Sequence, residues 1–170
     1  MAFPVTCEVC GFQWNELGPH EVPSRLVNAV ESFTNLILEA DAKVGLRPSA
    51  QRWSILEYGG HLRDVLISIR ERIITACIVD DWTGPAIHRE ERIELGFYSP
   101  DLPVEVINEL LVTSRLLVKT FEAVRADQLG REFVFSTASP SRVTILWAGA
   151  QAVHESEHHL DDVRENLALL

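Results

Sequence analysis

The sequence predicts an all-α fold, a four-helix bundle. Four long segments repeat apolar side chains at helical spacing, start and stop signals bracket them, and no internal repeat, low-complexity run or linker divides the chain. At 170 residues and 46% hydrophobic side chains there is material for one core and no need of a second. Residues 1–22 are set apart as an N-terminal extension carrying a C-x-x-C knuckle, and residues 23–170 as the bundle.

The first helix is expected over Ser24–Val44, where Leu26, Val27, Val30, Phe33, Ile37, Leu38 and Ala40 recur on one side between Pro23 and Gly45. A second runs from about Trp53 to Ile78, with Ile55, Tyr58, Leu62, Val65, Leu66, Ile69 and Ile73 as its stripe and Glu57, Asp64, Arg70 and Glu71 off it. Residues 79–100 hold Gly, Pro and mixed charge without sustained period and read as a long connection. Asp101 is placed as the cap of a third helix, with Pro103 in its first turn, continuing to Gly130. The stretch REFVFSTASPSRVT alternates apolar and polar residues about a Ser/Pro turn, which predicts one short hairpin. Thr144 then caps a fourth helix that runs nearly to the C-terminus.

Composition narrows the partners. A formal net charge of −10, with no Lys/Arg cluster interleaved with aromatics, removes the main electrostatic term for nucleic-acid binding. The first residues, MAFPVTCEVCGF, have neither a basic start nor a signal-length apolar run, and apolar stretches elsewhere are broken well short of a membrane span. Three cysteines make no disulfide framework. A soluble cytoplasmic protein without nucleic-acid or membrane partners is the expectation, and bundle surfaces of this kind pair readily into homodimers.

Chemistry concentrates in VHESEHHLDDV, Val153 to Val163, which holds three of the six histidines. At about 100° per residue, Ile145, Leu146, Val153, Leu160, Val163 and Leu167 define the apolar stripe of the fourth helix. His154 and His158 fall nearly opposite it. Glu155 and His159, four residues apart, lie along its edge and are the better inward candidates. His61 precedes Leu62 in HLRDV as His159 precedes Leu160 in HLDDV, so both imidazoles share one offset from their stripes. The set His61, Glu155 and His159 gives a divalent metal two imidazoles and a carboxylate, leaving positions open, as catalytic sites do. A competing three-histidine set joins His61 to His154 and His158. The blander reading is a polar helix end with His61 at the edge of the core.

These residues carry a resemblance. WSILEYGGHLRDVL, Trp53 to Leu66, followed by HESEHHLDDV, is similar to the DinB-like metal-binding bundles, a superfamily that includes the YfiT-like hydrolases and the N-terminal domain of mycothiol-dependent maleylpyruvate isomerase. The resemblance extends over roughly Pro23 to Leu170. It implies a four-helix bundle with a metal held by one histidine of the second helix, at His61, and by two ligands four apart on the fourth, at Glu155 and His159. Many members carry histidine at both of the latter positions; glutamate at the first resembles the isomerase branch. That isomerase has a C-terminal domain with no counterpart here, so activity on maleylpyruvate is not expected to carry over.

The knuckle Cys7-Glu8-Val9-Cys10-Gly11-Phe12 has the form of half a zinc ribbon. With no second C-x-x-C, His20 and His88 are the residues considered to complete a second zinc site at Cys7 and Cys10; an idle thiol pair and a reversible disulfide are the alternatives. Cys77 reads as a small core residue, and Trp53 as packing. Tyr58, Glu57 and Arg63 lie within about a turn of His61, any of them a candidate to orient a metal-bound imidazole. Trp82, His88 and Arg92 of the long connection are candidates to cover the metal. No G-x-S-x-G, P-loop or dinucleotide fingerprint is present. The expected cofactor is therefore a divalent transition metal, zinc first, with nickel, iron and manganese compatible. The resemblance favours a thiol-dependent S-transferase that combines a small thiol such as mycothiol or bacillithiol with an electrophilic substrate. A metal-dependent hydrolase and a non-catalytic metal-binding or dimerising protein are the alternatives.

Overall fold

The computed structural model describes residues 5–136 and 140–170. Its helices are α1 (Val22–Ala40), α2 (Ile55–Ile78), α3 (Arg89–Glu94), α4 (Pro103–Glu122) and α5 (Ile145–Leu169), with a hairpin of β1 (Glu132–Phe135) and β2 (Ser141–Thr144) before the last. Two of the starts are built by side chains. Ser54 accepts a hydrogen bond from the Glu57 amide (3.2 Å) while the Glu57 carboxylate accepts from the Ser54 amide (2.7 Å). This reciprocal box satisfies amides that a helix start otherwise leaves without partners. At α5 the expected cap is in place, with the Thr144 hydroxyl accepting from the Trp147 amide at 3.0 Å.

Other boundaries differ from expectation. Pro23 lies inside the first turn of α1, where its missing N–H costs nothing. Asp101 does not cap α4. Leu102 holds that position without a side-chain bond, because the Asp101 carboxylate is taken by Arg63 at 3.0 Å. The helix also stops at Glu122, short of Gly130.

Both α1 and α2 pack against α4 and α5, with little contact between α1 and α2 themselves, so the first two long helices lie across a diagonal. The core between them is aliphatic: Leu26, Val30 and Phe33 of α1, Leu62, Leu66 and Ile69 of α2, Val106 and Leu110 of α4, and Val153 and Val163 of α5 are all fully enclosed. Each such side chain contributes about 1.5–3 kcal/mol of burial. In the hairpin Phe133 pairs with Val143 and both face inward; residues 137–139, which hold most of the expected Ser/Pro turn, lie outside the described residues.

The connection 79–100 is strapped down rather than free. Trp82 packs on Phe133 (5.8 Å between ring centres), Thr83 bridges to Val134, and Arg92 and the Tyr98 hydroxyl (3.0 Å) both engage Asp64 of α2. The N-terminal residues are equally integral: Phe12, Trp14 and Leu17 are buried in the core that the helices build. Among the described residues no helix is long and apolar enough to cross a membrane.

Candidate metal centre

Two consecutive glycines bring α2 close to its surroundings just before His61. A Cβ on Gly60 would stand 2.6 Å from the Tyr98 ring, so only glycine lets Tyr98 close over this turn. The next residue, His61, points into the bundle and is 2% exposed. Across from it, Glu155 and His159 stand one turn apart on α5. The Glu155 Oε2 lies 3.4 Å from His159 Nε2 and 3.8 Å from His61 Nε2, and the two imidazoles meet edge to face at 5.1 Å. One donor atom from each residue falls within a 4.8 Å cluster.

The donors are also free in the sense a metal requires. Both nitrogens of His61 and the Nε2 of His159 are buried without a hydrogen-bond partner among the described residues. Burying such groups unpaired costs free energy that a bound cation would offset. The other ends are tied. His159 Nδ1 faces the Asp162 carboxylate at 2.8 Å, which directs Nε2 toward Glu155. Gln151 donates to Glu155 Oε1 at 2.6 Å and accepts from the Trp14 indole at 2.7 Å, leaving Oε2 for the cluster. Outer partners of this kind orient ligands in known metal sites. The residues present therefore fit a divalent transition metal.

Electrostatics follow the geometry. Burial pushes His61 down toward its neutral form, the one that ligates metals. Burial opposes charge on His159 as well, but the hydrogen bond to Asp162 and the nearby Glu155 carboxylate outweigh it and raise the group to about 9. For Glu155 burial is outweighed by the nearness of the His159 and His61 imidazoles, which holds the carboxyl well below the usual range.

Comparison with known proteins identifies the family. The family model of the DinB superfamily matches residues 20–163. The chain belongs to the DinB superfamily. Among solved structures it is similar to YfiT from Bacillus subtilis, described as a probable metal-dependent hydrolase with an unusual four-helix bundle topology. The superposition has a TM-score of 0.78 at 14% identity, covering 96% of this chain and 91% of YfiT. A likeness at that identity establishes the DinB-type fold. Among curated proteins no sequence matches significantly.

Within this DinB bundle the other sequence candidates have different employment. His154 and His158 do not join His61. Their side chains gather with Cys7 and Cys10 on another side of α5. The expectation that they lie away from the packed face fails because the N-terminal residues cover them: the His154 ring meets Trp14 at 4.6 Å and Phe12 at 5.2 Å. Neither His20 nor His88 is in that group; His88 is exposed at the start of α3, 3.4 Å from Glu91. Glu57 is committed to the α2 cap and to Arg47, and Arg63 to Asp64, Asp101 and Glu109. Trp53 and Tyr58 do border the centre, their rings 5.2 Å from His61 and His159 respectively, and burial pushes Tyr58 up to about 12. Trp82 and Arg92 dock on the hairpin and α2 rather than over the metal ligands.

The sequence reading missed Asp162, Gln151 and Trp14. For Asp162 a signal existed, since a carboxylate three residues after His159 shares its helix face. Gln151 likewise stands one turn before Glu155. Nothing local to Trp14 marks its partner, which is 137 positions away. The charge of Arg89 on α3, also unremarked, is felt by both His61 and Tyr58, which puts a cation beside the site.

Proposed function

We propose that the chain is a metal-dependent enzyme in which His61, Glu155 and His159 hold a divalent transition metal, zinc first, and that its reaction is transfer of a small thiol to an electrophile. The observation that carries the metal is the convergence of unpartnered buried nitrogens of His61 and His159 on one oxygen of Glu155. Such an ion supplies Lewis-acid stabilisation of a thiolate or activation of a water.

Glutamate at position 155, as in the isomerase branch that this chain resembles, favours the thiol reading, and the carboxylates around the site are tied to neighbouring groups. Asp162 is engaged by His159, the second oxygen of Glu155 by Gln151, Asp64 by Arg63, Arg92 and Tyr98, and Glu57 by Arg47. Each of them thereby holds a neighbouring group in place. A thiol, with an ordinary pKa of about 8.5, gives up its proton to solvent near neutral pH once its anion is stabilised. The chain's own thiols are poor substitutes, because Cys77 is sixteen positions along α2 from His61, about 24 Å at 1.5 Å rise per residue.

Hydrolysis is the second reading, favoured by the description of YfiT as a probable metal-dependent hydrolase. The deciding assay offers metal-loaded protein an electrophilic acceptor with mycothiol, bacillithiol, glutathione or no thiol, alongside His61→Ala. Turnover that requires both a thiol and His61 is expected. Equal turnover without thiol transfers the proposal to hydrolysis, and metal retention with no turnover in any arm would leave a metal-binding protein.

A further inference from the structure

A second group of ligand-type side chains lies on α5 beside the first, offset by one residue, and the DinB-type chemistry above makes no use of it. His154 and His158 stand one turn apart with ring centres 5.2 Å from each other. His154 is 8% exposed, and neither of its nitrogens has a hydrogen-bond partner; His158 Nδ1 is likewise buried and unpartnered among the described residues. An apolar cover of Phe12 and Trp14 encloses the His154 imidazole without offering it an acceptor or a donor, while His158 is half-buried beside it.

The chain that supplies this cover also supplies two thiols. Residues 6–13 form a tight reversal closed by a Thr6–Gln13 bridge, with Cys7 N donating to Phe12 O at 2.8 Å and Gly11 N to Cys7 O at 2.9 Å. Gly11 makes the reversal with φ of 73°, in the left-handed region that side chains disfavour. Inside it the backbone of Val9 and Cys10 approaches the Cys7 sulfur, and that of Phe12 the Cys10 sulfur. Cys7 and Cys10 are free thiols.

We propose that Cys7, Cys10, His154 and His158 form a closed, four-coordinate structural zinc site that clips the N-terminal segment onto α5. Their four donor atoms lie within 4.8 Å of one another. A tetrahedral zinc with Zn–S of about 2.3 Å and Zn–N of about 2.0 Å needs edges of about 3.3–3.8 Å, so a small contraction completes it. The charges balance: on binding, the two thiols release two protons, and two thiolates with two neutral imidazoles neutralise a divalent cation. The ligand count is complete, so no position is left for substrate.

The clip also reaches the bundle centre. It fixes the segment bearing Trp14, whose indole holds Gln151, whose amide holds Glu155. Zinc at the cysteines thereby positions a ligand of the other metal.

The test is made on the full chain. Wild-type protein should bind two equivalents of zinc, and Cys7→Ser/Cys10→Ser one. Cobalt-substituted wild type should show a thiolate-to-cobalt charge-transfer band, absent from the double serine variant and from His154→Ala/His158→Ala. X-ray absorption of zinc-loaded His61→Ala/His159→Ala, in which the first site is disabled, should give two sulfurs at about 2.3 Å and two nitrogens at about 2.0 Å. Absence of the band in the cobalt-loaded wild type, unchanged stoichiometry in the serine variant, or sulfur ligation that persists without both histidines overturns the proposal. The loss of one equivalent, the cobalt band and the absorption spectrum depend neither on catalysis nor on the bundle site being occupied.

Discussion

Along α5 two ligand pairs repeat one spacing a single position apart: His154 with His158, and Glu155 with His159. The inner pair meets one imidazole from α2, the outer pair two thiols from the N-terminal reversal. A four-residue spacing on a helix therefore settles only that two side chains can share an ion. What the ion does depends on the third element. A neighbouring helix brings one further ligand and leaves coordination open; a knuckle folded over the helix brings two and closes it. Donor chemistry diverges with it, a hard carboxylate on the open side and soft thiolates on the closed one. Asp162 stands between the two, 2.8 Å from His159 Nδ1 and 3.9 Å from His158 Nε2.

The contrast breaks first at the ligands. His61→Ala or His159→Ala should remove the inner metal with a loss in affinity beyond the roughly 10–100-fold that an outer partner costs, while His154→Ala leaves that metal in place. Metal analysis after dialysis reads this directly. Should His158→Ala empty the inner site and His159→Ala spare it, the two faces have been assigned the wrong way round.

Chelation separates the two sides by stability. Stripping the closed zinc should cost about 3–4 kcal/mol at free metal roughly 100–1,000 times its Kd, read as a fall in denaturation midpoint. The Cys7→Ser/Cys10→Ser protein should lose most of its response to chelator. An equal response in both proteins would mean that the bundle metal, not the knuckle, carries the stabilisation.

Asp162→Asn sharpens the middle ground, since an amide orients His159 without its charge. A drop of about 10–100-fold in inner-site affinity is expected, measured by competition with a metal indicator. No change would show that Asp162 serves packing alone.

The smallest effect concerns the link between sides. Trp14→Phe preserves the ring but leaves Gln151 Oε1 buried without its donor, at about 1–3 kcal/mol. Its inner-site affinity should fall even with the closed zinc intact. Stability loss with unaltered affinity would disconnect the two sides.

Much of this architecture is legible along the chain. The stripes of α1, α2, α4 and α5, the Thr144 cap and the hairpin all follow from short-range spacing, because helices and turns are built by residues a few positions apart. The convergence of His61 with Glu155 and His159 was also foreseeable, since equal offsets from two apolar stripes turn both imidazoles toward one core. By contrast, the diagonal placement of α1 and α2, the commitment of Asp101 to Arg63 and the indole of Trp14 on Gln151 join positions with no common period. The burial of His154 is the clearest case. Helical phase alone leaves it on the polar side of α5, and it is enclosed because Phe12 and Trp14 arrive from the other end of the chain. Periodicity reports which residues share a face of one element; which other element covers that face is decided only when the whole chain packs, by the need to keep apolar rings out of water.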